Sequence, residues 1–297
     1  MTKRSYMVPL LVVGGIFFFF TLLFLGIAVF FGSPTSLSIG KHIGVIEIVG
    51  PIVSSDRTVQ DIVDFRTNDS IKGVILRVDS PGGGVGPSQE IYAEVKRLAA
   101  EKPVVVSMGS VAASGGYYVA LPAQKIVANP GTITGSIGVI MGFTNYQDLF
   151  EKLGLKSDVI KSGEHKDIGS PVRPMTAADR DILQNLIDDV HQQFVAHVAE
   201  GRNLEFETAA KLADGRIYTG RQAKKSGLVD ELGNFRDAVT LIASMASIDG
   251  EPDLVYPPTL EKKFVDYFLE QAAGQFREGL REETSAGLQY RWNADRR

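Results

Sequence analysis

Short apolar runs that end at turns rich in glycine and serine recur along the middle of this 297-residue chain. Runs of this length, bounded by turn residues, are typical of buried strands rather than helices. Segments with helical periodicity lie between them, so the pattern predicts βα units and a mostly parallel sheet. The predicted strands are His42–Val53, Gly73–Val78, Pro103–Ser107, Lys125–Ala128 and Ser157–Ile160.

The predicted helices alternate with these strands and cover Asp61–Phe65, Pro87–Ala100, Asn145–Leu153 and Ala177–Glu200. Thr176, with Asp179 three residues later, resembles a capping box at the start of the long last helix. Its apolar residues recur every four positions and are expected to face the core: Ile182, Leu186, Val190, Phe194 and Val198. Residues 41–250 therefore read as one α/β domain.

The N-terminal region, residues 1–40, is of a different kind. Val8–Phe31 is an apolar run without charge, and as a helix it would be about 36 Å long, enough to cross a ~30 Å hydrocarbon layer. Lys3 and Arg4 precede it, which predicts a cytoplasmic N-terminus, a single transmembrane helix in the cytoplasmic membrane and an extracytoplasmic domain. A cleaved signal peptide ending near Gly32 is the alternative, but the run exceeds the ~7–15 residues of a typical signal-peptide core.

The C-terminal tail, residues 251–297, has an amphipathic helical pattern. Apolar residues recur every four positions from Leu260 to Leu280 among Lys, Glu and Arg. Packing against the parent domain or a neighbouring subunit is favoured over binding at the membrane surface.

Composition excludes several classes of function. The chain has no cysteine, and therefore neither disulfides nor a thiol nucleophile. The net charge is −4, and charges of both signs are mixed along the chain without a basic stripe. Nucleic acid is therefore not an expected partner. The four histidines lack metal-ligand spacing and Asp79–Gly86 matches no nucleotide-binding pattern, so neither a metal nor a cofactor is predicted.

Ser114 is the candidate nucleophile. It lies in a turn of small residues between a predicted strand and a helix, and Ala112–Gly116 approximates G-x-S-x-G with alanine first. Such a turn can leave backbone N–H groups free, and those of Gly83 and Gly115 together would form an oxyanion hole. The alternative interpretation of both glycine-rich stretches is a tight turn selected for packing.

The general base is less obvious from the residues. His165, His191 and His197 do not stand in the arrangement expected of a Ser-His-Asp enzyme. Lys166, in the polar loop after Ser157–Ile160, is the other candidate. A free lysine has a pKa of about 10.4, so a lysine base requires burial and an orienting group, a role that Ser136 could fill. The alternative interpretation of Lys166 is a solvated charge on the surface.

Taken together, these stretches resemble the signal peptide peptidase A family of membrane-anchored serine proteases, in its short single-domain form. The resemblance covers roughly Gly44–Ala246. The matching motifs are Asp79–Gly84, Ala113–Tyr118, Thr134–Val139, Ser162–Gly163, Lys166–Asp167, Gly169–Pro171, Gly215–Gly220, Ala223 and Gly227–Asp230.

The resemblance implies a crotonase/Clp protease-like βα spiral and a Ser–Lys serine endopeptidase. Ser114 would be the nucleophile, Lys166 the general base and Ser136 the group that orients the lysine, with the amides of Gly83 and Gly115 as the oxyanion hole. It further implies a homo-oligomeric ring, expected to be an octamer, and peptide substrates such as cleaved signal peptides and unfolded apolar segments. Small or aliphatic side chains are expected next to the cut.

Four alternatives stay open at this stage. A crotonase-like acyl-CoA enzyme shares the fold but needs neither the anchor nor the Ser–Lys pair. A catalytically inactive membrane scaffold of the same fold and a Ser-His-Asp esterase are two more. A protease for stomatin-like membrane proteins ranks lower, because such relatives usually carry further membrane helices after the protease domain.

Overall fold

The computed structural model describes Phe18, Thr21 and residues 42–258. The chain divides into two compact units, Met1–Gly40 and Lys41–Arg297. Apart from Phe18 and Thr21, the predicted membrane segment Val8–Phe31 lies outside the described residues, and so does the amphipathic pattern from Leu260 onward. Within the described part of the chain, no helix combines the length and the apolar character needed to cross a membrane.

Eight strands of residues 42–258 form one sheet, and every pairing among them is parallel except that of β5 with β6. The order β6-β5-β3-β2-β1-β8 forms the main path, and β4 pairs with both β3 and β7. The strands are β1 His42–Val49, β2 Ile71–Ser80, β3 Val104–Ala113, β4 Lys125–Ala128, β5 Ile133–Gly135, β6 Ile217–Thr219, β7 Glu231–Leu232 and β8 Asp253–Val255. The predicted α/β class with a mostly parallel sheet is confirmed.

Helices cover both faces of the sheet. Alternate residues of the buried strands point to opposite faces: Ile43 and Val45 pack with the last helix, whereas Ile46 and Ile48 belong to the larger core on the other face. The helices of residues 42–258 are α1 Asp56–Thr67, α2 Val85–Glu101, α3 Gly115–Tyr118, α4 Gln147–Lys152, α5 Ala177–Arg202, α6 Phe206–Leu212, α7 Gly220–Lys225 and α8 Phe235–Met245.

Two details of the predicted elements are wrong. Ser157–Ile160 forms no strand; Val159 is 53% and Ile160 fully exposed, so no core contact holds this run against a neighbouring strand. On α5, only the C-terminal part of the predicted apolar stripe is buried, with Ile182 and Leu186 largely exposed. The capping box of Thr176 and Asp179 is confirmed, with both reciprocal hydrogen bonds present.

Strand β3 changes partner along one edge, and this change builds the candidate site. Its first half pairs with β4 and its last three residues pair with β5. Asp79 supports the irregular stretch between the halves, because its carboxylate accepts a hydrogen bond from the N–H of Val111 at 3.1 Å. The carboxyl ends of β2, β3 and β5 therefore meet at one edge of the sheet, where ligand sites of parallel sheets usually lie.

Candidate active site

Ser114 lies in a strained turn between β3 and α3. Its φ of 54° and ψ of −121° are outside the regions that side-chain-bearing residues normally occupy, and such strain tends to accumulate at functional sites. A serine at a helix N-cap usually accepts a backbone hydrogen bond with its hydroxyl, but Ser114 does not. The N–H groups of Tyr117 and Tyr118 bind its carbonyl instead. The hydroxyl is therefore left available for chemistry.

The amides of Gly83 and Gly115 lie side by side near this hydroxyl. Gly82 and Gly84 exchange hydrogen bonds with Ile52, so the intervening Gly83 turns its own N–H to the opposite side. Gly115 is the first residue of α3, where a helix N–H has no partner within the helix. A Cβ placed on Gly115 would lie 3.2 Å from the nitrogen of Gly83. The two residues are therefore neighbours, and two free donors side by side can together bind one oxyanion.

Both positions leave no room for a side chain. A Cβ on Gly83 would lie 2.1 Å from the carbonyl oxygen of Ile52, and one on Gly115 would lie 2.6 Å from Oγ of Ser88. Ser88 in turn donates its hydroxyl to the carbonyl of Gly84 at 2.8 Å. Close packing of two backbone segments, rather than backbone flexibility, explains the glycines here.

Ser136 follows β5 directly and lies beside the turn of Ser114. The N–H of Ser114 donates to the carbonyl of Gly135 at 2.8 Å, and the N–H of Ser136 donates to the carbonyl of Arg216 at 2.8 Å. Ser136 is partly exposed and has a positive φ of 50°. The structure thus brings four of the five predicted site residues to one edge of the sheet: Ser114, Ser136, Gly83 and Gly115.

A pocket opens beside Ser114 and is lined by both apolar side chains and polar groups. Its volume is about 110 Å³, somewhat smaller than the ~150 Å³ cavity that accommodates a benzene molecule. It can therefore accept one small or medium-sized aliphatic side chain. Its lining is Gly83, Val85, Ser88, Gln89, Ser114, Gly115, Tyr118, Gly138, Val139, Ile140, Val190 and Phe194.

Tyr118 forms one wall of this pocket and is held in place by His197. Burial raises the pKa of Tyr118 to about 12 and lowers the pKa of His197. The Tyr118 hydroxyl and Nδ1 of His197 share a hydrogen bond between two neutral groups. The ring of Phe194 packs edge-on against Tyr118, with ring centroids 4.8 Å apart. The imidazole of His197 therefore supports the pocket wall through its hydrogen bond with Tyr118.

None of the four histidines lines the pocket. His191 contacts the carbonyl of Ala213 at 2.7 Å, and His165 lies 3.4 Å from a carboxylate oxygen of Asp179. A Ser-His-Asp arrangement at Ser114 is therefore absent from the described residues.

Lys166 is exposed and does not line the pocket of Ser114. It lies in a turn whose backbone is closed by hydrogen bonds from Lys166 N to Gly163 O at 3.2 Å and from Ile168 N to His165 O at 3.1 Å. Its ammonium group has no hydrogen bond or ion pair with any described residue. The single chain thus does not bring the predicted base into the pocket that contains the predicted nucleophile.

Ser88, Val190 and Phe194 line the pocket but lie outside the matching motifs. Tyr118 and Val139 end two of the motifs, but the sequence assigned no role to either. The helical stripe containing Val190 and Phe194 was expected in the core, and nothing in its periodicity distinguishes a pocket wall from core packing. Only the three-dimensional structure shows that Val190 and Phe194 of α5 line the same pocket as Ser114.

The sequence profile of peptidase family S49 matches residues 96–249. A Synechocystis sp. protein assigned as a protease is 46% identical over 77% of this chain and 82% of its own length. Protease 4 of Salmonella typhi is 40% identical over 66% of this chain and 32% of its own length. An Enterococcus faecium protein assigned as a signal peptide peptidase is 42% identical over 59% of this chain and 51% of its own length.

These matches identify the family of the chain. The chain belongs to peptidase family S49, and its function is that of a protease. The resemblance to the signal peptide peptidase A family is confirmed.

Proposed function

We propose that this protease is a membrane-anchored serine endopeptidase with a Ser114–Lys166 dyad that degrades cleaved signal peptides and other apolar, unfolded segments. The observation that carries the proposal is the turn of Ser114, whose uncommitted hydroxyl lies next to the free amides of Gly83 and Gly115. This combination suits formation and stabilisation of a tetrahedral intermediate at a peptide carbonyl.

In the proposed reaction, Lys166 takes the proton of the Ser114 hydroxyl as its oxygen attacks the scissile carbonyl. The carbonyl oxygen becomes an oxyanion bound by the N–H groups of Gly83 and Gly115. Lys166 returns the proton to the leaving amine as the peptide C–N bond breaks and the acyl-enzyme forms. It then takes a proton from the attacking water and passes it to Oγ of Ser114 as the ester bond breaks, which frees the product acid and restores the enzyme. Ser136 orients the lysine amine, and no metal or cofactor takes part.

The pocket supports the proposed substrate class. Val85, Val139, Ile140 and Val190 give it an aliphatic lining, and its volume of about 110 Å³ matches a small or aliphatic side chain next to the cut. Such side chains are abundant in the apolar cores of signal peptides. A substrate of this kind would also have to be unfolded to enter the cleft as an extended strand.

Assembly of several copies is part of the proposal, because one chain alone leaves the site incomplete. Lys166 is exposed to solvent, and apolar side chains between residues 140 and 160 are exposed as well. Exposed apolar groups of this extent favour an interface between copies. In a ring, expected to be an octamer, such an interface would remove Lys166 from water and favour its neutral form. The exposed side chains are Ile140, Met141, Phe143, Tyr146, Leu149, Leu153, Leu155, Val159 and Ile160.

Location and fold group complete the proposal. Val8–Phe31 would anchor the protein in the cytoplasmic membrane with its N-terminus in the cytoplasm and the protease domain outside. The parallel sheet and the two-amide oxyanion hole fit the βα spiral shared by the Clp protease and the crotonases. A stomatin-type substrate remains the less favoured alternative.

A catalytically inactive scaffold is the second candidate, and the exposed position of Lys166 is the observation that favours it. Hydrolysis of a quenched fluorescent peptide with an aliphatic core, by detergent-solubilised full-length protein, separates the two functions. We expect turnover by the wild type, and background rates from folded, assembled Ser114→Ala and Lys166→Ala.

Two matched controls test the specificity of these losses. Ser226→Ala and Lys225→Ala remove the same groups at the end of α7, away from the pocket, and should keep full activity. Full activity of Lys166→Ala would rule out the proposed base, and a wild type without turnover would favour the scaffold.

A further inference from the structure

The segment around Lys166 is tied to the start of α5 by a single arginine. Arg173 donates from Nε and Nη2 to the two carboxylate oxygens of Asp167, both at 2.9 Å. It also donates from Nη2 to the Asp167 carbonyl at 3.2 Å and from Nη1 to the carboxylate of Asp179 at 2.6 Å. One guanidinium thus bridges the residue that follows Lys166 and the capping residue of a long helix.

The residue that precedes Lys166 is attached to the same helix start. His165 lies 3.4 Å from the second carboxylate oxygen of Asp179, whose side chain is only 2% exposed. Lys166 is therefore flanked on both sides by residues that contact the cluster of Arg173 and Asp179. Its backbone is fixed while its ammonium group stays free.

The cluster also keeps the neighbouring carboxylate from binding Lys166. Lys161 donates to Asp167 at 2.7 Å, so Asp167 already receives hydrogen bonds from two cationic side chains. These bonds hold the pKa of Asp167 well below its usual range. Without Arg173, Asp167 would keep Lys161 as its one cationic partner among those described and would have a carboxylate oxygen free one residue from Lys166. A carboxylate so placed stabilises a charged ammonium.

We propose that Arg173 is a positioning residue for the general base: it fixes the backbone of the Lys166 segment and occupies Asp167, so that the lysine amine stays unpaired and can act as the base once assembly encloses it. The inference rests on the proposed role of Lys166. The charged and titratable groups of this segment and of the first turn of α5 are Lys161, Glu164, His165, Asp167, Arg173, Asp179 and Arg180.

The test is the pH profile of kcat/KM for the quenched peptide with full-length protein in detergent. Arg173→Gln is expected to lower kcat/KM at neutral pH by about 10- to 100-fold, since small misplacements of a catalytic group have effects of this size. It should also move the midpoint of the acid limb to higher pH, because the freed Asp167 favours the charged lysine. Adding Asp167→Asn to Arg173→Gln should move the midpoint back toward that of the wild type.

Arg202→Gln is the matched control for a purely structural arginine. Arg202 donates to the Gly227 carbonyl and to Asp230, both at 3.0 Å, and its side chain is 6% exposed. It should lower the melting temperature without moving the pH midpoint. Arg173→Lys keeps the charge but loses the bidentate hydrogen bond to Asp167. This variant should have a rate between those of Arg173→Gln and the wild type.

Measuring the effect of Arg173→Gln in the Lys166→Ala variant separates this inference from the proposed function. There, Arg173→Gln should have no further effect on the residual rate, because the two residues act as one unit. Unchanged rate and midpoint in Arg173→Gln, with Lys166→Ala inactive, would overturn only the role of Arg173. An active Lys166→Ala would overturn the proposed base itself.

Discussion

Ser114 and Ser136 occupy equivalent positions at the ends of two neighbouring parallel strands. Ala113 of β3 is paired with Gly135 of β5, and each serine is the next residue along its strand. Both have positive φ values, 54° and 50°, which serine rarely adopts. The sheet therefore presents two hydroxyl-bearing residues at one edge, each held in an unfavourable backbone conformation by its surroundings.

Removing the hydroxyl of Ser136 should impair catalysis more than substrate binding. We expect Ser136→Ala to lower kcat by about 100-fold with KM nearly unchanged, since the group acts on the proton-transferring lysine. Steady-state kinetics on the aliphatic peptide measure both parameters. Ser110→Ala is the control, because Ser110 is an exposed residue of β3 and does not line the pocket. A raised KM with unchanged kcat would assign Ser136 to substrate binding.

A methyl group on Gly115 should disturb the oxyanion hole. Its Cβ would lie 2.6 Å from Oγ of Ser88 and 3.2 Å from the nitrogen of Gly83, so the Ser88 hydroxyl or one of the two amides must shift. We expect Gly115→Ala to lower kcat by about 100- to 1000-fold, as loss of one oxyanion donor does. Gly86→Ala is the matched control: nothing lies within 4 Å of its Cβ position, and it lies inside α2. That variant should be active and more stable by up to about 1 kcal/mol.

Filling the pocket should change the preferred side chain next to the cut. Val139→Phe places a larger side chain in the pocket, whose volume is about 110 Å³. We expect kcat/KM for leucine-containing peptides to fall by about 10-fold or more relative to alanine-containing ones. Thr240→Phe, on the exposed face of α8, should leave this ratio unchanged. Equal losses for both peptides would mean that another surface selects the side chain.

The cap of α5 should make stability depend on pH. A hydrogen bond from Arg173 is the main cause that lowers the pKa of Asp179 well below its unfolded value of about 3.9. The carboxylate therefore stabilises the fold fully above pH ~4, and the effect is lost as the pH falls through the folded pKa. Urea unfolding should show Asp179→Asn destabilised at pH 7, with a smaller difference from the wild type at pH 3. The exposed Asp249 gives the control Asp249→Asn, whose difference from the wild type should be small at both values.

A charge placed in the exposed apolar region should prevent assembly without unfolding the domain. Ile160 is fully exposed in the single chain, so Ile160→Lys loses no internal packing. Light scattering in detergent should show smaller particles and a loss of peptidase activity at an unchanged melting temperature. Phe206→Lys is the control, since Phe206 is an exposed apolar residue outside residues 140–160. Intact, active assemblies of Ile160→Lys would exclude this surface as the interface.

The sequence predicted most of the sheet because its buried strands are continuous apolar runs followed by turn residues. The strand predicted over His42–Val53 is present as His42–Val49, and Lys125–Ala128 has the predicted bounds. Ser157–Ile160 has the same local pattern but no core beside it, and a local pattern does not report whether a partner strand exists. Likewise, the sequence motifs around Ser114 and Lys166 do not report the distance between the two segments.

The division of β3 between two partners has a consequence for biosynthesis. Ser114 receives its conformation from β5, and Ser136 is held in turn by Arg216, far downstream in the chain. Contacts between such distant segments form late in folding. A nascent or truncated chain that ends before Arg216 contains Ser114 and β5 but lacks the carbonyl that holds Ser136. We therefore expect the arrangement of the two serines to be completed only when most of the domain has been synthesised.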